Sequence, residues 1–223
     1  MQQCDFWFPA VELPAAFDTA FAEANRAVGP KDSENTVYHP HFERAWDAVF
    51  PPCTTHPRSR VSGCAACSVP IKKRFASNGP EGFGEDAPDY LFSAPDSGVE
   101  VWAGVLDIKR KDGRATSFTK DDITQVVRYG HHLLATQPLR DHATVCLFTL
   151  ERVQFFQVFR GTSVIRKTES SSLLGRALGQ LYSYFTAPAA THGIREIALD
   201  GYVCVCVCVW CVCVYVCDVC VCV

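Results

Sequence analysis

The run VEVWAGVLDIKR, residues 99–110, has the apolar makeup of a core strand, yet it carries Asp107 and Lys109 two positions apart. Alternate residues of a strand share a face, so this carboxylate and ammonium project together while Ile108 points into the core. A second apolar run, residues 90–94, precedes it across the turn PDSG and is entered through Asp89. Any fold must therefore hold two acids and an amine beside a sheet. That is costly unless something offsets the charge.

The apolar spacing around these runs sets the architecture. Residues 13–28 are expected to form a helix, with Pro14 in its first turn and Phe17, Ala20, Phe21, Ala24 and Val28 on one face. GPKDSEN breaks it, and a second helix runs from His39 to Phe50 with Phe42, Ala45, Trp46 and Val49 at helical spacing. Residues 51–87, rich in Pro, Gly, Ser and Cys, read as a long loop insert. Thr119 is placed as the N-cap of a helix reaching Thr136, with Asp121 and Asp122 in its first turn. Its buried face is Ile123, Val126, Val127, Gly130, Leu133 and Leu134, and Pro138 ends it. ATVCLFTLERVQFFQVFRG reads as a hairpin about Glu151, and a last helix spans residues 172–185. Helix, strands, helix, strands, helix is the order of an α/β sandwich built on a mixed sheet flanked by helices. The expected organisation is an N-terminal helical segment (1–30), one domain (31–200) and a tail (201–223).

A chain of 223 residues with a formal charge of -3 has no basic excess, so composition alone offers no case for nucleic-acid binding. The opening MQQCDFWFPAVEL lacks the charged start and apolar run of a secretory signal, and an intracellular protein, nuclear or cytoplasmic, is expected. Of 13 cysteines, eight lie in the last 23 residues, where Val and Cys alternate. Both faces of such a segment are apolar, so it describes no amphipathic strand. It is also too β-branched and too interrupted by Asp218 for a good membrane span, and no membrane association is expected. A GT dinucleotide repeat encodes Val-Cys, so the tail is expected to be disordered or artefactual, a read-through or misassigned exon without selected function.

Two carboxylates and a lysine suit a hard divalent cation, Mg²⁺ or Mn²⁺, held by carboxylate oxygens and water. The lysine then orients or helps deprotonate an attacking water, which is phosphodiester hydrolysis. Pro88-Asp89 followed by Asp107-Ile108-Lys109 resembles the signature of the PD-(D/E)XK nuclease superfamily, with its restriction-endonuclease-like fold. Gln125-Val-Val-Arg-Tyr129 in the following helix is similar to the additional motif of RecB-type nucleases. The resemblance implies metal binding by Asp89 and Asp107, water positioning by Lys109, support from Gln125 and Tyr129, and a DNA or RNA substrate. It also gives a metal-ligand role to an acid near the second helix. Glu34 fits that position, with Glu43 the alternative.

A narrower resemblance covers roughly residues 33–187. SENTVYHPHFERAWDAVF, the run ending at Lys109, ITQVVRYGHHLLATQPLRDHATVCLFTL and VFRGTSVI look like the region before the catalytic domain of fungal-type protein kinases and like Crinkler-like effectors. This implies a module joined to a kinase-like domain, and it leaves open a regulatory or interaction module that keeps the fold without catalysis. No kinase motif follows, so kinase activity is not implied.

Other features read more plainly. Lys109, Arg110, Lys111 and Arg114 cluster at the end of the acid-bearing strand, where a solvated turn explains the last two. Lys72, Lys73 and Arg74 read as a flexible charged loop. Cys53-x-x-His56 and Cys64-x-x-Cys67 carry zinc-ligand chemistry, but the gap of seven between the pairs is short and no structural zinc is expected. His131 and His132 are assigned to the surface or to packing. A second Q-x-x-x-Y, Gln180 to Tyr184, follows no acid-x-Lys strand and reads as an ordinary helix face.

Overall fold

Valine, isoleucine and the aromatics of residues 90–93, 102–108, 142–148 and 152–159 fit a pleated surface, and in the computed structural model these runs pair into one mixed sheet. The residues described are 2–3, 8–29, 31–50, 72–74, 83, 86–94, 101–110, 117–172 and 176–195, with 205–208, 211–216 and 219–222 of the tail. In chain order the elements are β1 (Gln2–Gln3), α1 (Ala15–Ala27), a π-helical turn (Glu34–Tyr38), α2 (His39–Val49), β2 (Lys72–Arg74), β3 (Tyr90–Ser93) and β4 (Trp102–Ile108). Then follow α3 (Lys120–Thr136), β5 (His142–Phe148), β6 (Arg152–Phe159), β7 (Ile165–Lys167), β8 (Ser171–Ser172), α4 (Arg176–Thr186) and a 3₁₀ turn (Ala189–His192).

The strand order is β1-β7-β6-β5-β4-β3-β2, with β8 also pairing β6. β2, β3 and β4 form an antiparallel meander. The chain then crosses over through α3 so that β5 lies parallel to β4, a connection that parallel neighbours require. β5 turns back at Glu151 into β6, with His142 opposite Phe159 and Phe148 opposite Val153.

Helices cover both sheet faces. Phe17 and Phe21 of α1, Phe42 and Trp46 of α2, and Leu181 and Tyr184 of α4 bury one face with Tyr90, Phe92, Leu106, Ile108 and Phe148. Val126, Tyr129 and Leu133 of α3 bury the other with Leu91, Val105, Val145, Leu147 and Val158. Each fully buried phenylalanine contributes about 1.5–3 kcal/mol. The helical segment of residues 13–28 thus shares a core with the sheet.

Two glycines set the close approaches. A Cβ at Gly130 would stand 2.8 Å from Val158 Cγ2, so the glycine lets α3 lie close on the sheet. A Cβ at Gly104 would stand 2.5 Å from the Tyr184 hydroxyl and 2.7 Å from the Phe92 ring, and both rings are buried. Gly104→Ala is therefore expected to destabilise the fold by about 1–3 kcal/mol, as overpacking does. Urea unfolding checks this, and an unchanged midpoint would refute the tight packing.

The sequence reading needs several corrections. Lys72–Arg74 is not a loop but an edge strand, its backbone paired with Tyr90–Phe92. The π-helical turn and the strands β7 and β8 were not anticipated. Within the tail, Val205–Cys208, Cys211–Val216 and Val219–Cys222 pair as a three-stranded antiparallel sheet. β-branched valine at alternate positions favours extended backbone whether or not the two faces differ. The remaining helices and strands keep their expected places with ends trimmed by a few residues. Most of the 51–87 insert, including Cys53, His56, Cys64 and Cys67, lies outside the described residues, as do Lys111 and Arg114. Among the described residues no helix is long and apolar enough to cross a membrane.

Candidate functional site

The site forms where β4 ends beside α3. Lys109 donates its backbone N–H to Phe148 O at 2.8 Å, which carries the β4–β5 pairing one residue beyond the strand. That keeps Asp107 and Lys109 on the α3 side of the sheet. α3 starts at a full capping box, in which the Thr119 hydroxyl accepts from Asp122 N and the Asp122 carboxylate accepts from Thr119 N.

From Lys109 a line of hydrogen bonds runs along α3. Lys109 Nζ donates to Gln125 Oε1 at 3.0 Å, Gln125 Nε2 donates to the Tyr129 oxygen at 2.7 Å, and Tyr129 donates to Ala87 O at 3.1 Å. An ammonium only donates, so the carboxamide oxygen must face Lys109 and every later donor follows. Tyr129, left off the expected buried face of α3, is a core residue. Its ring is buried in the core and only its hydroxyl reaches the site. Burial first, then the charges of Asp107 and Asp89, pushes its phenol well above the ordinary range.

Asp89 meets Asp107 through strand register. Tyr90 pairs with Leu106, and one further step brings Asp89 opposite Asp107. Asp89 Oδ2 accepts the Ile108 N–H at 2.6 Å, and Asp89 Oδ1 lies 3.3 Å from His39 Nε2. The segment before it is fastened to α3, with Asp86 Oδ2 2.9 Å from both Arg128 Nε and His132 Nε2. Glu34, at the start of the π-helical turn, accepts the Arg110 N–H at 2.9 Å. Glu43 lies one step further back and accepts the Tyr90 hydroxyl at 3.0 Å. The structure thus brings together Asp89, Asp107, Lys109, Gln125, Tyr129 and Glu34, but holds Glu43 behind Tyr90.

Each of these charges bears on the others. Asp107 is 2% exposed, and burial, then the Asp89 charge, pushes its carboxyl up to about 8 against the opposing pull of Lys109. Burial also presses on Asp89, but contacts with His39 and the Ile108 N–H outweigh it and hold this carboxyl below its usual range. The Asp89 side chain is 23% exposed and forms the open side of the pair. For Lys109, burial favours the neutral amine, but Asp107, Asp89 and Glu34 prevail and keep it a cation.

Asp107 Oδ2 lies 2.8 Å from Lys109 Nζ, in a buried setting. Two carboxyl groups side by side with one ammonium between them and solvent fit a small hard cation. Among the described residues no three His, Cys, Asp or Glu side chains converge as a metal cage. A cation here would rest on Asp89 and Asp107, with water and substrate oxygens completing its shell, which is the ligation Mg²⁺ accepts.

His39, Arg128, Asp86 and His132 were not singled out as site residues from sequence. Signals for them existed. Gln125, Arg128, Tyr129 and His132 form a stripe at i, i+3, i+4, i+7 on α3, and His39 stands on the apolar stripe of α2 with Phe42 and Trp46. The second motif, Gln180 and Tyr184, lies across the sheet from Asp107, where Tyr184 donates to Val105 O at 2.8 Å. No family model, curated protein or solved structure matches the chain.

Proposed function

We propose that this chain is a metal-dependent nuclease-like module of the PD-(D/E)XK kind that hydrolyses phosphodiester bonds of nucleic acid. The restriction-endonuclease-like reading of the fold belongs to the same proposal. The observation that carries it is one continuous line: Asp89 against Asp107, Asp107 against Lys109, Lys109 held by Gln125, and Gln125 by Tyr129. A Mg²⁺ or Mn²⁺ ion would supply Lewis-acid polarisation of the phosphate and stabilise the charge building on the leaving oxygen.

The remaining work falls to the side chains. Asp89, the more exposed and more acidic carboxyl, presents the first ligand. Asp107 presents a second once the proton shared within the pair leaves, so cation binding strengthens as pH rises toward about 8. Lys109 stays an ammonium, so it orients the attacking water or donates to a phosphate oxygen rather than acting as the base. Gln125 keeps that ammonium aimed, and Tyr129 keeps Gln125 in place.

The test is incubation of the full chain with single- and double-stranded DNA and RNA, with Mn²⁺ or with chelator. Cleavage that needs the metal and disappears in Asp89→Asn is the expected result. Cleavage surviving both treatments would belong to another site or another protein. Mn²⁺ binding that depends on Asp89 but brings no cleavage would leave the non-catalytic module of the fungal-type kinase and Crinkler kind as the better reading.

A further inference from the structure

The end of the sheet away from Asp107 buries a cation that no anion meets among the described residues. Arg140, in the connection from α3 to β5, forms an isolated bridge with Ile194 and is 1% exposed. Its side chain reaches the start of β4, where Nη2 donates to Ala103 O at 2.5 Å. Ala103 stands four residues before Asp107 in β4, about 13 Å away by strand rise. A guanidinium carries five N–H donors. The three on Nε and Nη1 of Arg140 are buried and have no hydrogen-bond partner among the described residues.

The neighbouring groups do not answer this charge. Asp141, next in the chain, is half-exposed and gives both carboxylate oxygens to Arg195, at 2.6 and 2.7 Å. The Tyr184 phenol keeps its proton, since burial raises it well above its ordinary range, and donates it to Val105 O. Arg160 turns to the carbonyls of Arg140, Leu134 and Gln137, so its charge adds repulsion and no relief. His192, fully buried, is pushed down to about 3 by burial and then by Arg140, and stays neutral. Its Nδ1 lies 2.6 Å from the Thr144 hydroxyl, and its Nε2 is buried without a partner. With Thr144 donating to Nδ1, the ring hydrogen sits on Nε2 and adds one more donor in want of an acceptor.

A lysine or an aspartate buried in this way would neutralise itself by losing or gaining a proton. A guanidinium does not. Burial presses Arg140 down only to about 9, which leaves it charged at neutral pH. An uncompensated buried charge is strongly destabilising, and an orphaned buried donor points to an ion or a water beside it.

We infer that Arg140 holds a small monovalent anion of the chloride class inside the fold, at the sheet end opposite the proposed cation site. One buried guanidinium matches one negative charge, and its near-complete burial keeps out larger or multiply charged oxyanions. The inference is independent of the nuclease reading, because it needs only Arg140 and its surroundings.

The test melts the full, metal-free chain while sodium chloride replaces sodium gluconate at constant ionic strength, so that screening is the same throughout. Gluconate is too bulky for a site this closed. The melting temperature should rise with chloride, by about 5–10 °C at 100 times the dissociation constant, and bromide should act alike. Arg140→Met keeps an apolar stem, removes the charge and should flatten the response. Crystals grown in sodium bromide give a second reading that needs no variant: the anomalous signal should place a bromide in hydrogen-bond contact with Nε or Nη1 of Arg140. A parent that melts alike in chloride and gluconate overturns the inference. A response that survives in Arg140→Met does the same, because the anion would then sit elsewhere. Should that variant fail to fold, the bromide position decides, and a signal absent from Arg140 removes the site.

Discussion

Lys109→Ala is expected to lower metal-dependent cleavage by about 10²- to 10³-fold, the usual effect of removing one charge-stabilising donor from a catalytic site. The fold should survive. The Lys109 side chain is 19% exposed at the end of β4, and its truncation leaves no core cavity. Nor does it strand a buried anion. Burial and Asp89 already push the Asp107 carboxyl up to about 8, so without the ammonium it simply keeps its proton near neutral pH. Gln125 loses its donor but sits at the partly exposed end of α3 where water can replace it. The assay pairs single-turnover cleavage with a thermal melt. Parental cleavage by the variant would remove Lys109 from the chemistry, and a collapsed melt would show that the ion pair serves the fold.

Much of this arrangement was legible because two simple periods carry it. Alternation in 99–110 put Asp107 and Lys109 together, and helical spacing put Gln125 and Tyr129 on one face. The capping box at Thr119 fixed the start of α3 by local chemistry alone. What stayed hidden depends on pairings between distant segments. The register of β3 on β4 decides that Asp89 meets Asp107, and no local pattern encodes a register. His39 reaches the site directly after a π-helical turn, which lacks a sequence period of its own. Tyr129 was misjudged because a long aromatic can belong to the core by its ring and to the site by its hydroxyl. Lys72–Arg74 was misjudged because charge density was read as solvation, although lysine is a common residue on exposed sheet edges.

Asp107→Asn should abolish cation binding and yet stabilise the metal-free protein, by a margin that grows with pH. Burial and the Asp89 charge push the native Asp107 carboxyl up to about 8, whereas an unfolded aspartate keeps its ordinary value of 3.8. Between those limits the native state holds a proton that the unfolded state has released. Stability must therefore fall as pH rises through this window, because the unfolded state binds fewer protons there. Asparagine does not titrate, so the melting temperatures of parent and variant should be nearly equal at about pH 4 and separate progressively to about pH 8. Asp89 is present in both proteins and, being held below its usual range, titrates beneath the window. The replacement also suits its neighbours: the carboxamide oxygen can face Lys109 and the N–H₂ can face Asp89. Adding Mn²⁺ should reverse the ranking. A ligand at about 100 times its dissociation constant stabilises the parent by about 2.7 kcal/mol, and the variant, lacking the second carboxylate, should gain little. Melts across pH with and without Mn²⁺ test both halves. A separation that does not change with pH would mean that Asp107 is ionised in the folded protein. The buried pair would then need no cation to hold it, and the case for a metal at this site would lose its physical ground.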